Sequence, residues 1–478
     1  MVRNSFYNML GLGLPLVAAV ITIPMLLDAL GTEKFGVLTL IWAVVSYFGL
    51  FDLGLGRALT QQLSVSWAKN DSEAADELVF VGLGIMALIG IVAALLMAAT
   101  AGWITGKLAG IENPDEVVAS VYAMALAVPF IVLTTGLRGI LEAKHRFGII
   151  NLIRLPMGLY TFVAPVVVTL YISNSLEDIA IALTLGRVAS FFAHAFYCRG
   201  LVSIPASGAR YRPGVARRLT TAGGWIAVSN ILGPLMSYVD RMIIGMVVSV
   251  SAITYYATPY EVVSKLWVIP GALTAAIFPL FSEKSHRHIS ENSSDFRLSV
   301  VLIFGMMFVP TMMLSLFSRE ILSLWLSSEF AGQSYMVMIV FCVGAILNGL
   351  ATVPFTYIQG VGQARYTALI HAVQFPVFVV SLYIFSQAYG LMGAAGVWLA
   401  RIVVDNFLMF LVVSQVIGLR IREVIRFIAA GLSLVAVGLS LLMIMEGLVA
   451  KLAALVLLSL AAMALCAVEY RALRSKGL

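Results

Sequence analysis

LVFVGLGIMALIGIVAALLMAATAG, residues 78–102, is an apolar run without one charged side chain. A helix needs roughly 20 apolar residues to cross the hydrocarbon of a bilayer, and this run is long enough. Polar segments stand on either side, at Lys69–Glu77 and Glu112–Glu116. The pattern recurs along the chain. Apolar runs fall at 8–30, 36–60, 78–102, 117–140, 150–173 and 177–199, then at 219–247, 252–280, 298–318, 333–358, 367–387 and 391–415, and finally at 426–446 and 450–470. The expectation is an all-α polytopic membrane protein with about fourteen transmembrane helices.

Composition agrees. The 478 residues are 61% hydrophobic and 11% charged, against about 25% charged in an ordinary soluble domain. Net charge is +6, which in a soluble chain would suggest nucleic acid. Here the basic residues sit in short loops between apolar runs, as membrane topology requires, so no nucleic-acid partner is expected. Of 30 Lys+Arg, Lys34, Lys107, Arg319 and Lys451 fall on one side and Arg187, Arg241, Lys265 and Arg401 lie within spans; the others fall on the side of the termini. By the positive-inside rule both termini are cytoplasmic. The first run, interrupted by Pro15 and Pro24, has no small-residue cleavage site after it and reads as a retained span. Cys198, Cys342 and Cys466 lie in or beside apolar runs with no metal or redox spacing.

The runs group as six, six and two. Leu185-Gly186-Arg187-Val188 in the sixth matches Leu399-Ala400-Arg401-Ile402 in the twelfth. Lys144-His145-Arg146-Phe147, followed by Pro156, matches Gln363-Ala364-Arg365-Tyr366, followed by Pro376. The common order and similar offset point to two lobes of the same topology, related by a pseudo-twofold axis along the membrane normal. The expected domains are an N-terminal lobe at 1–200, a basic linker at 201–218, a second lobe at 219–416 and two added helices at 417–478. Two such lobes would enclose a central cavity, the architecture of an alternating-access carrier.

Ionisable groups inside a span are costly and mark pathways or pairs. Asp52 and Arg57 stand in Phe51-Asp52-Leu53-Gly54-Leu55-Gly56-Arg57; Arg57 either faces the cavity or snorkels to the headgroups. Asp240 and Arg241 are adjacent in the seventh span, and Glu261 and Lys265 form an i, i+4 pair in the eighth. Arg401 and Asp405 have the same spacing, whereas Arg187 meets Phe191 at i+4. Each pair is read either as a structural ion pair or as a cavity group. Asp52, Asp240 and Glu261 are candidates for coupling to a proton or sodium gradient. Pro259, Pro270 and Pro279 make the eighth span the best candidate for a moving helix. No phosphate-cradling loop, metal spacing or nucleophile elbow is present, and the loops leave no room for a catalytic domain. No enzyme, resident cofactor or metal site is expected.

Five stretches carry a resemblance: Leu30-Gly31-Thr32-Glu33-Lys34-Phe35-Gly36, Phe51 to Gly56, Asp240-Arg241-Met242-Ile243-Ile244-Gly245, Ile277-Phe278-Pro279, and Gly390-Leu391-Met392-Gly393-Ala394-Ala395-Gly396. In their order the chain resembles the polysaccharide-transport (O-antigen, Wzx-type) flippases of the multidrug/oligosaccharidyl-lipid/polysaccharide exporter superfamily, whose fold is MATE/MurJ-like. The resemblance implies a bacterial inner-membrane flippase. It would carry a polyprenyl-pyrophosphate-linked oligosaccharide (O-antigen, capsule or exopolysaccharide repeat unit) from the cytoplasmic to the periplasmic leaflet. Arginine suits a pyrophosphate because its fork binds such oxygens bidentately. Arg57, Arg187, Arg241, Lys265 and Arg401 are the expected substrate-binding residues, and Arg138 and Arg154 would recruit the headgroup at the cytoplasmic mouth. The last two helices would guide the lipid tail. Membrane lipids, and other polysaccharide assembly proteins, are the implied partners of a chain that works as a monomer. A lipid II flippase and a drug or metabolite antiporter of the same superfamily are the alternatives; the basic excess within the spans favours an anionic cargo.

Overall fold

In the computed structural model the residues described are 2–48, 55–201, 232, 233, 235, 236, 238–283, 289–416, 421–445 and 447–474. Their regular structure is all helical, with no strand among them. In lipid an unpaired backbone amide costs several kcal/mol, so each span must satisfy its own peptide groups. The helices are α1 (Val2–Phe48), α2 (Leu55–Ala68), α3 (Ser72–Thr105), α4 (Pro114–Ala143), α5 (Phe147–Tyr171), α6 (Leu176–Cys198), α7 (Val239–Val247), α8 (Val250–Ser264), α9 (Val268–Glu283), α10 (Ile289–Leu316), α11 (Ser318–Trp325), α12 (Ser328–Gly360), α13 (Ala364–Leu411), α14 (Arg422–Ile444) and α15 (Leu448–Arg474). Among the described residues ten helical stretches are long and apolar enough to cross a membrane.

Two of the ten hold two legs each. In α1 the helix breaks at Gly31 (φ 73°, ψ 174°), and in α13 at Gly390 (φ 57°, ψ −137°). Both angles lie where an L residue is strained. The expected first and second spans, and the eleventh and twelfth, therefore follow one another with almost no loop. Elsewhere helices outrun their apolar cores. The joint expected at Lys69–Glu77 is helical from Ser72, capped by Asp71, whose side chain accepts from Ala74 N at 3.0 Å. Part of the Ser282–Arg297 joint is likewise helix. Polar residues at a span's end reach water without leaving the helix, so hydropathy stops earlier than hydrogen bonding does. The eighth span is interrupted by a 3₁₀ turn at Lys265–Trp267, between Pro259 and Pro270. The basic linker expected at 201–218 lies almost wholly outside the described residues.

Two compact units are present, Met1–Thr254 and Tyr255–Leu478. In the first, α4 packs on α3 and α6, and α1 packs on α5. One end is tied by polar contacts between turns. Lys34 Nζ donates to Glu116 Oε1 and to Asn174 O, both at 2.9 Å, and Leu176 N donates to the same Glu116 oxygen at 2.7 Å. In the second unit α12 packs on α10 and α13, around an aromatic cluster of Tyr260, Phe341 and Trp398.

The two C-terminal helices, α14 and α15, are held to α10 by a buried arginine: Arg297 pairs with both Glu423 and Glu469. Glu423 is half exposed, but Glu469 is largely buried, and removing one partner of a buried pair strands the other at about 3–5 kcal/mol. Arg297→Ala is accordingly expected to lower the thermal stability of the purified protein strongly, while Arg319→Ala, on an exposed side chain, leaves it unchanged; equal melting curves for the two would refute the clamp.

Candidate functional site: an arginine-lined cavity in the first unit

Each wall of the first unit's polar cavity is a single helical face. Residues at i, i+3, i+4 and i+7 share one side of a helix. On α4 these are Ile131, Thr134, Thr135 and Arg138; on α5, Ile150, Ile153, Arg154, Met157, Gly158 and Thr161; on α6, Arg187, Ser190 and His194. Val45 of α1 completes a cavity of about 270 Å³.

Close packing of α5 on α6 sets the position of Arg187. Gly186 lies against the Tyr160 ring, where an added Cβ would come within 2.4 Å of Cε1. Tyr160 donates from its hydroxyl to Ala182 O at 2.8 Å. With the helices so close, Arg187 Nη2 donates to Thr161 Oγ1 at 3.1 Å, and Thr161 itself donates back to Met157 O at 2.8 Å. Arg187 Nε is buried with no hydrogen-bond partner. Thr134 and Thr135 donate to Phe130 O and Val132 O, at 2.6 and 2.7 Å. Their hydroxyl lone pairs and the guanidinium N–H groups remain to meet a guest. His194 Nδ1 is 2.8 Å from Ser190 O; with Nδ1 as donor, Nε2 is the acceptor of the ring.

At the cavity rim Arg138 Nε is 3.4 Å from Glu142 Oε1, both side chains well exposed, so that contact is weak. Arg154 is exposed and lines the same cavity. Among the described residues no carboxylate lines it. Three residues named from the sequence, Arg138, Arg154 and Arg187, thus share one space. His194, Ser190, Thr134, Thr135 and Thr161 were not picked out from the sequence, although their helical spacing from the arginines is a signal that would have found them.

The remaining candidates sit elsewhere. Asp240 and Arg241 are 1% and 2% exposed; Arg241 N donates to Asp240 Oδ1 at 2.7 Å, and the guanidinium lies 5.5 Å from the Tyr238 ring. Neither lines the arginine cavity. Lys265 Nζ donates to Glu261 Oε2 at 3.0 Å, at the 3₁₀ interruption. Arg401 belongs to the second unit, where it lines an apolar groove of about 690 Å³ between the two legs of α13, with its Cζ 5.4 Å from the Phe378 ring. Asp405, which the spacing pairs with Arg401, lies 3.6 Å from His371 Nε2 on the other leg. Asp52 is outside the described residues, and so is the side chain of Arg57, in the first turn of α2. Among the described residues no cluster of three metal-ligating side chains occurs.

Apolar helices joined by tight reversals, with a basic pocket among them, define a multi-pass membrane transporter. Comparison with known proteins narrows this. The chain belongs to the family described as polysaccharide biosynthesis protein, whose profile matches residues 1–285. It is 30% identical over 412 residues to a candidate O-antigen transporter of Shigella flexneri, covering 85% of this chain and 96% of that one. Its fold is similar to the inward-closed lipid II flippase MurJ, with a TM-score of 0.72, 13% identity, and 99% and 100% of the two chains covered. It is also similar to an inward-facing multidrug resistance MATE family transporter of the MOP superfamily, with a TM-score of 0.70, 14% identity, and 84% and 96% covered. The expected MATE/MurJ-like fold is thus the observed one.

Proposed function

We propose that this chain is an inner-membrane flippase that moves a polyprenyl-pyrophosphate-linked oligosaccharide, of the O-antigen, capsule or exopolysaccharide kind, from the cytoplasmic to the periplasmic leaflet. The observation that carries this reading is the cavity of α4, α5 and α6, which among the described residues is lined by three arginines and no carboxylate. A diphosphate entering a membrane protein gives up its hydration, and only fixed positive charge and donors offset that loss. Guanidinium forks supply both. A space of about 270 Å³ suits the diphosphate head, with the glycan and the prenyl tail outside it.

Transport follows by alternating access, with both termini in the cytoplasm, the orientation that the distribution of basic residues favours. Arg138 and Arg154 at the rim meet the headgroup first, and Arg187 receives it at depth. No bond is made or broken. A strain lacking its own O-antigen or exopolysaccharide flippase provides the test. Expression of the chain is expected to restore surface glycan. Failure across several glycan types, with a gain in drug resistance instead, would replace this reading with that of an antiporter.

A further inference from the structure

Beside the arginine cavity the first unit holds a second space, of about 620 Å³, walled by α1, α3, α4 and α7. Among the described residues no charged side chain lines it. Two of its hydroxyls are taken up by their own helices: Thr100 donates to Leu96 O and Ser120 to Glu116 O, both at 2.8 Å. Leu40, Val44, Met97 and Met242 are typical of the remaining wall. The size is that of a ligand site. A dry space left empty would forfeit the contacts of the side chains around it, so an apolar guest belongs there.

The two spaces share a wall. On α4 the apolar space takes Val117, Val121 and Met124, and the arginine cavity takes Ile131, Thr135 and Arg138. These positions recur at intervals of three, four and seven, so all six stand on one stripe of the helix. Met124 and Ile131 are about 10 Å apart along it. On α1, Val44 lines the one space and its neighbour Val45 the other. From Val117 to Arg138 the stripe runs about 32 Å, close to the thickness of the hydrocarbon. One half of it is apolar and the other basic.

We propose that the apolar space receives the prenyl tail of the lipid whose diphosphate the arginines hold. The proposal rests on the transport reading above and adds where the lipid lies. Charge selects this occupant. An ordinary acyl chain could fill the apolar half, but only an anionic head joined to a long tail fills both halves at once. Three guanidinium forks exceed what the single phosphate of a phospholipid calls for, and they match the oxygens of a diphosphate. The order along α4 is that of a lipid in the cytoplasmic leaflet. Its head lies toward the end of the helix with Arg138 and Lys144, and its tail toward the opposite leaflet. The family resemblance implies the last two helices for the tail; among the described residues lining these two spaces, none comes from α14 or α15. With head and tail on the same helices, the lipid is carried by the first unit.

The test uses the full-length protein in nanodiscs of phosphatidylethanolamine and phosphatidylglycerol, with a polyprenyl diphosphate that bears a diazirine in its tail. After illumination the adducts are mapped by mass spectrometry. They are expected on α3 and α4 between Ala93 and Met124. A tenfold excess of unlabelled polyprenyl diphosphate is expected to suppress them about tenfold by mass action, and added phosphatidylglycerol to leave them unchanged. Thr100→Phe puts a ring into the space. It is expected to cut both this labelling and the surface glycan of complemented cells about tenfold, as displacing about two methylenes of the tail would. Leu95→Phe, at an exposed position that does not line the space, is expected to change neither. Equal suppression by phosphatidylglycerol would make the occupant an ordinary acyl chain and overturn the assignment. Adducts confined to α14 and α15 in a chain that restores glycan overturn the placement and leave the transport reading standing. Adducts that polyprenyl diphosphate does not suppress, in a chain that restores no glycan, refute the transport reading and the assignment with it.

Discussion

Arg187→Ala is expected to reach the membrane at normal levels and to export at least about tenfold less surface glycan, since each hydrogen bond to a charged group contributes about 1.5–3 kcal/mol. The residue is set deep between α5 and α6, with one guanidinium nitrogen held by Thr161 and Nε buried without a partner. Alanine removes the charge at the depth where water is least able to replace it. Arg187→Lys should fall between wild type and alanine, because a single ammonium cannot hold Thr161 and two phosphate oxygens in one plane. Arg138→Ala should cost less, as its side chain is exposed and shares its charge with Glu142. The measurement is surface glycan per unit of membrane protein in the complemented strain. Undiminished export by Arg187→Ala would remove this cavity from the mechanism.

Gly393→Ala should cause the largest loss of folded protein. Its Cβ would lie 2.0 Å from Phe385 O and 2.6 Å from the Phe385 carbonyl carbon. Those are backbone atoms, held by the reversal at Gly390, so no side chain can swing aside. The legs would have to part at the turn, and a loss above about 4 kcal/mol is expected from overpacking plus backbone strain. Gly396→Ala is the control, because nothing lies within 4 Å of its Cβ position. Size-exclusion profiles and melting temperatures in detergent distinguish them. A well-folded Gly393→Ala would show that the reversal is wider than described.

Much of this fold was legible beforehand because the bilayer reads a chain locally. Residues 78–102 needed only their own hydropathy to become most of α3, and the gap between the apolar runs at 367–387 and 391–415 marked the reversal of α13. The site was legible in part. Arg187 stood out for its missing i+4 carboxylate, and Arg138 and Arg154 for their place at the ends of spans. Asp405 was read together with Arg401, the partner visible along a single helix; that His371 of the other leg comes within 3.6 Å of it appears only in the fold.

Helical class, membrane residence and the abundance of intramembrane cations were determined by the sequence alone, since each depends on side-chain polarity counted along one helix. Which of those cations share a space was decided only by tertiary structure. Each residue turns a helix by 100°, and an all-round apolar helix in lipid gives little sign of which face its neighbours take. Gly186 against Tyr160 fixes that face for α6. It is this contact, between residues far apart in the chain, that puts Arg187 beside Thr161 in the cavity shared with Arg138 and Arg154.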